Sequence, residues 1–271
     1  MTHPNILILS GHDPSGGAGM QADIEAVAAN SGHAASVITA LTRQDTRNAY
    51  AVQPVDDDFF AACIDTLLDD MSFAAIKTGV LASVGQVEIV ARLVDRLAED
   101  LADVPLVVDP VLVAAGGGEL AGDPVGRALR ARLFARARVI TPNADEARRL
   151  CDGEPDIDRC GAALVETGCH ALITGGDEDG GQGDDDVINR LYAPDGSIQT
   201  YRWPRLTGRF HGSGCTLAAS LAARLATRQP LPEAVAGAQA YTWRTLQSGF
   251  RAGTGQSIPD RWPGRDPERD T

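Results

Sequence analysis

The chain has 271 residues, 44% hydrophobic and 23% charged, long enough to bury a substantial core in one large domain. Its net charge of −13 argues against a broad nucleic-acid or anionic-membrane surface, so a phosphate-bearing ligand must be held by local donors. Lysine is nearly absent, with Lys77 alone against 23 arginines. Five scattered cysteines (Cys63, Cys151, Cys160, Cys169, Cys215) form no CxxC pair. That usage disfavours a disulfide framework or structural zinc and fits reduced thiols in the cytoplasm. Neither a signal-peptide pattern nor a membrane-length apolar run is present, so the expected protein is soluble, without a membrane partner.

In chain order, the unalternating apolar run Asn5–Ser10 predicts a strand buried on both faces, followed by a glycine-rich loop over Gly11–Gly19. A helix follows with Met20, Ile24, Val27 and Ala28 on one face, then a strand over Ala34–Leu41. Arg43–Val55 reads as polar and irregular. Helices are predicted over 57–70 and 84–101, with strands over 74–78 and 105–110. Gly116–Gly118 marks a flexible connection before a helix over Pro124–Phe134. Arg138–Asn143 reads as a strand and turn, Ala144–Leu150 and Ile157–Glu166 as helices, and Ala171–Thr174 as a strand. The acidic Asp177–Asp186 reads as a solvated loop, because no ligand spacing is recognisable. Val187–Ala193 and Ser197–Trp203 alternate around Pro194-Asp195-Gly196, a hairpin signal. Two helices follow, to Ala226 and over Pro232–Phe250, and 253–271 reads as a flexible tail behind a single domain over 1–252.

Strands alternating with helices predict an α/β class, a mainly parallel sheet with helices on both faces. Ligands bind such sheets beyond the carboxyl ends of the strands. Gly11–Gly19, Gln44, Lys77–Gly79, Asp109, Asn143 with Glu146, and Gly212–Cys215 all fall there. In Gly212-Ser213-Gly214-Cys215, small residues open a helix whose backbone N–H groups and partial positive charge suit an anion. The same field would lower the Cys215 thiol pKa. A plain small-residue helix start with a buried cysteine fits these residues equally well. Asp109, Asn143 and Glu146 offer hard oxygens suited to Mg²⁺ held largely through water and nucleotide phosphates, although each could be only a cap or a surface acid. Gly17-Ala18-Gly19-Met20-Gln21-Ala22 matches GxGxxA, but it lies too far beyond its strand for a dinucleotide turn, and GxxxxGK[ST] is absent.

Gly11-His12-Asp13-Pro14-Ser15-Gly16-Gly17-Ala18-Gly19 with Gln21-Ala22-Asp23 resembles the hydroxymethylpyrimidine/phosphomethylpyrimidine kinases of thiamine biosynthesis, in the ribokinase-like superfamily. Gln44-Asp45-Thr46, Lys77-Thr78-Gly79-Val80-Leu81, Val108-Asp109-Pro110-Val111, Ile140-Thr141-Pro142-Asn143 and His211-Gly212-Ser213-Gly214-Cys215-Thr216 continue the likeness in order. The resemblance implies a three-layer αβα ribokinase-like domain with small lid elements. Its implied activity is ATP-dependent phosphorylation of 4-amino-5-hydroxymethyl-2-methylpyrimidine, then of the monophosphate, with ATP and Mg²⁺ and in a homodimer. Gln44 would hydrogen-bond the pyrimidine, Gly11, Ala18, Val80 and Val111 would line its pocket, and Asp23 would support that loop. Gly212, Ser213 and Gly214 would form the anion hole, with Cys215 as base. Asn143 and Glu146 resemble the family's NxxE element, which orders Mg²⁺ and phosphate. Departures occur at Thr42-Arg43 beside the pyrimidine, and near Ala115 and at Thr174, where the family carries lysines. A pyridoxine/pyridoxal kinase is the nearest rival reading, and a non-catalytic binding protein is the rival of another class.

Overall fold

The computed structural model describes residues 3–100, 104–112, 120–176, 178 and 186–262. Among the described residues nine strands form one sheet: β1 (Asn5–His12), β2 (His33–Gln44), β3 (Ala49–Pro54), β4 (Ala75–Thr78), β5 (Leu106–Val108), β6 (Val139–Ile140), β7 (His170–Ile173), β8 (Asp186–Tyr192) and β9 (Ile198–Pro204). Their order is β3-β2-β1-β4-β5-β6-β7-β8-β9. β2 through β7 in that order are parallel, and antiparallel β3 and β8-β9 extend the two edges. The helices are α1 (Gly19–Ala29), α2 (Asp57–Asp70), α3 (Val84–Asp100), α4 (Asp123–Ala128), α5 (Ala144–Leu150), α6 (Ile157–Val165), α7 (Ser213–Ala226) and α8 (Leu231–Gln247).

Strand alternation divides the core. Leu7, Leu9, Ile76, Val108 and Ile140 face the layer of α2 through α6. Their neighbours Ile6, Ile8, Ala75, Val107 and Val139 face α1, α7 and α8. A residue period of two thus buries both faces of the parallel strands, which is why they read as unbroken apolar runs. This is the expected three-layer α/β architecture.

Four local expectations are corrected. Arg43–Val55 is a hairpin: β2 runs on to Gln44 and pairs with β3, around a turn in which Asp45 Oδ1 accepts from the N–H groups of Arg47 (2.8 Å) and Asn48 (3.0 Å). An edge strand exposed on one side can be polar, which hides its signal. α1 buries Ala22, Asp23, Ala26 and Val27 and leaves Ile24 exposed. The helix expected over Pro124–Phe134 stops being α-helical after Ala128 and continues as a π turn over Leu129–Leu133 and a 3₁₀ turn over Phe134–Arg136. Residues 255–261, expected to lie in a loose tail, pack instead, with Ile258 and Arg261 buried. Gly116–Gly118, Ala115 and most of Asp177–Asp186 lie outside the described residues. Among the described residues no helix is long and apolar enough to cross a membrane.

Candidate active site

The glycine loop after β1 is organised by a residue that sequence reasoning left out, Asp13. Its buried carboxylate accepts from the Ser15 N–H and hydroxyl (2.8 Å each), from the Ala18 N–H (2.8 Å), and pairs with the His211 ring at 2.8 Å. Burial works against the charge, but the hydrogen bonds from His211, Ser15 and the Gln44 amide outweigh it and hold the carboxyl well below the usual range. Asp13 therefore joins the loop to the strand end at Gln44 and to the residue before the second glycine turn.

That second turn rests directly on the first. Gly212 caps α7 with φ 82°, and a Cβ there would lie 2.0 Å from the Gly17 carbonyl oxygen, so only glycine fits. A Cβ on Gly17 would in turn strike the His211 ring at 2.2 Å. Ser213, Gly214 and Cys215 form the first turn of α7, whose leading N–H groups have no intrahelical acceptor. Gly214 in this turn is exposed, and a helix start of this kind suits an anion.

Behind it lies a buried charge cluster. Lys77, fully buried on β4, donates to both Asp23 oxygens at 2.8 Å and stands 3.9 Å from Asp109 Oδ2. Burial opposes the ammonium, but Asp23, with Cys215 and Asp109, raises its pKa and keeps it charged. Asp23, expected to support the pyrimidine loop, is the counter-ion of Lys77 and has no exposed surface of its own. Burial pushes Asp109 up to about 6 against the pull of Lys77, and Asp109 accepts a hydrogen bond from the Cys215 thiol. Cys215, half-buried, is pushed up to about 12 by burial, with Lys77 lowering it and the two carboxylates raising it. The expected lowering of the thiol pKa is corrected: desolvation and neighbouring anions outweigh the helix field.

The three expected metal residues do not make a ligand set. Asn143 and Glu146 cap α5: Asn143 Oδ1 accepts from the Glu146 N–H at 2.8 Å, and Glu146 Oε2 from the Asn143 N–H at 3.0 Å. Glu146 Oε1 also accepts from the Leu112 N–H at 3.2 Å. Their oxygens already satisfy backbone donors, and Asp109 Oδ2 faces an ammonium. Among the described residues no cluster of three acids, histidines or cysteines is arranged around a metal. These residues do not fit direct Mg²⁺ ligation.

The expected pocket residues divide. Gly11 abuts Val80, since a Cβ on Gly11 would lie 2.6 Å from Val80 Cγ1, and Ala18 sits in the Asp13 loop. Gln44 and His211 line one concavity with Thr46 and Gln256. Val111 follows the end of β5, its N–H bonded to the Asp109 carbonyl at 2.9 Å. Ser10 Oγ, His12 Nδ1, Thr78 Oγ1 and Asp109 Oδ2 are buried without hydrogen-bond partners among the described residues, all at or just beyond the carboxyl ends of β1, β4 and β5. Such groups are rare in a finished interior, and these four lie where ligands bind sheets of this kind. Of the departures, Thr42 donates to the His12 carbonyl at 2.8 Å, Arg43 stacks over the Tyr50 ring at 5.6 Å, and Thr174 pairs with Asn143 in a β-bridge.

A family model described as phosphomethylpyrimidine kinase matches residues 13–260. The chain is 38% identical over 264 residues to the hydroxymethylpyrimidine/phosphomethylpyrimidine kinase of Streptomyces coelicolor, covering 94% of this chain and 93% of that one. The Escherichia coli enzyme of the same name is 38% identical over 229 residues, 82% and 83% of the two chains. Among solved structures, the ADP complex of Bacillus subtilis pyridoxal kinase aligns with TM-score 0.86 and 26% identity, over 97% and 99% of the chains. Phosphomethylpyrimidine kinase from Clostridium difficile aligns with TM-score 0.72 and 27% identity, over 90% and 100%. With the two glycine turns and the strand-end residues placed as above, the chain belongs to the phosphomethylpyrimidine kinase family.

Proposed function

We propose that the protein is an ATP-dependent kinase of thiamine biosynthesis, phosphorylating 4-amino-5-hydroxymethyl-2-methylpyrimidine and then its monophosphate. The observation that carries this reading is the seating of the Gly212–Cys215 turn on the Gly11–Gly19 loop, which supports an anion site beside an alcohol pocket. Phosphoryl transfer needs such positioning and charge stabilisation more than covalent chemistry. The N–H groups of Ser213, Gly214 and Cys215 receive the transferred phosphoryl group. Gln44, held by Asp13, orients the aromatic ring, and Gly11, Ala18 and Val80 shape its pocket. The resting thiol is protonated, so as the O–P bond forms and acidifies the alcohol, the alcohol proton passes to the Cys215 sulfur while the thiol proton moves to Asp109, the member of the pair that is unprotonated at neutral pH. Any Mg²⁺ is held by nucleotide phosphates and water. A homodimer in the cytoplasm belongs to the same reading, and exposed Leu41 and Tyr50 beside the β3 edge supply apolar surface for pairing.

The higher TM-score to a pyridoxal kinase favours a second reading, phosphorylation of pyridoxal. A product assay with ATP and Mg²⁺ decides, offering the hydroxymethylpyrimidine, its monophosphate and pyridoxal in parallel. The expected result is turnover of both pyrimidines with higher kcat/KM than pyridoxal. Faster turnover of pyridoxal would replace the assignment, and no turnover of any would leave a binding protein.

A further inference from the structure

We propose that Arg261 is a positioning residue for phosphoryl transfer, holding the alcohol loop and the anion turn in register from the C-terminal segment. The proposal rests on the kinase reading for its catalytic consequence, but its mechanical core is independent of it. Arg261 is 1% exposed, and its guanidinium donates outward to separate parts of the site. Nε donates to Thr216 Oγ1 at 2.9 Å, and Thr216 Oγ1 donates to the Gly212 carbonyl at 2.8 Å. Nη2 donates to the Gly17 carbonyl, and Nη1 to Glu25 Oε2 at 3.1 Å and to the Gly16 carbonyl at 3.5 Å. One planar fork therefore spans the glycine loop, α1 and the first turn of α7. A lysine, with a single point of attachment, cannot reproduce that span.

The placement is costly unless it serves a purpose. Burying a guanidinium for one partly exposed carboxylate brings little net stability, and an apolar side chain would fill the space more cheaply. Its charge lies directly under the anion turn: a Cβ on Gly212 would be 2.9 Å from Nη2. The segment that delivers Arg261 is itself fastened. Tyr241 donates to the Arg261 carbonyl (2.7 Å), the Asp260 N–H to Thr245 O (2.9 Å), the His211 N–H to Ser257 O (2.8 Å) and the Gln256 N–H to Thr46 O (2.8 Å). The segment thus ties the β2–β3 turn, the anion turn and α8 together, with Arg261 at its end.

The test uses the full chain carrying Arg261→Lys, Arg261→Ala, or Thr216→Val, which removes one arm without stranding a charge. Melting temperature, steady-state kinetics and amide hydrogen exchange are measured on each. For Arg261→Lys, kcat should fall about 100-fold while KM for ATP changes less than about threefold, because misregistration spares ground-state binding. Millimolar guanidinium should restore part of kcat to Arg261→Ala, and Thr216→Val should lose kcat in the same direction. Amides of 16–18 and 213–216 should exchange faster together in every variant, whatever the activity. A lowered melting temperature with unchanged kcat, or exchange altered in neither segment, overturns the proposal. If the wild type phosphorylates no alcohol, the kinase reading fails, and the exchange data still decide whether Arg261 couples the two segments.

Discussion

Cys215 shows two fields in competition. The start of α7 favours a thiolate, while burial, Asp109 and Asp23 oppose it, and the second group prevails. Alkylation by iodoacetamide at pH 8 should therefore run at least about tenfold slower than for an ordinary free thiol. Labelling as fast as a free thiol would show that the thiolate is already present at rest. Cys215→Ala should lower kcat by about 10²- to 10⁴-fold and leave pyrimidine binding nearly intact in calorimetry. Asp109, pushed up to about 6, sets the acid side. Its active form is the carboxylate, so kcat/KM should fall as pH drops below about 6, and Asp109→Asn should abolish that limb along with most of kcat. Stability runs the other way for this group. Its folded-state pKa is raised, so the contribution of its buried neutral form fades as pH rises from about 4 to about 6.

At the scale of elements, the Lys77–Asp23 pair pins α1 onto β4 through the centre of the molecule. Lys77→Met leaves a buried carboxylate without its cation and should cost about 3–5 kcal/mol in denaturant unfolding. Lys77→Met combined with Asp23→Leu should recover most of that loss. If the double variant is as unstable as the single one, the pair is not the source of the cost. The pair also explains why the periodicity of α1 misled: Ile24 is the larger apolar residue, but the face turned inward is the one that carries Asp23. Lys77 had one signal, its rarity in the chain. Asp13 had almost none, because its partner His211 lies 198 residues away.

Across the whole molecule, 37 acidic side chains face 24 lysines and arginines. Exposed pairs such as Arg96–Asp65 and Arg47–Asp45 contribute at most about 1 kcal/mol each, so net repulsion should dominate the response to salt. The melting temperature should rise by a few degrees between about 10 mM and about 200 mM NaCl, where the Debye length shrinks from about 30 Å to below about 10 Å. A fall over that range would mean that the surface pairs outweigh the self-repulsion.

The sequence alone determined the class of fold, the order of the strands and helices other than β3, and the position of both glycine turns. These follow from local causes: side-chain period, the length of apolar runs, and the freedom of residues without a Cβ. It could not show that the Asp45 turn folds 43–55 into an edge hairpin, nor that 255–261 packs back onto the domain. Tertiary structure alone decided that the glycine turns touch, that Asp23 belongs to Lys77, that Asn143 and Glu146 spend their oxygens on α5, and that Cys215 rests as a thiol. Each depends on burial and on partners distant in the chain, and no local pattern of residues carries either quantity.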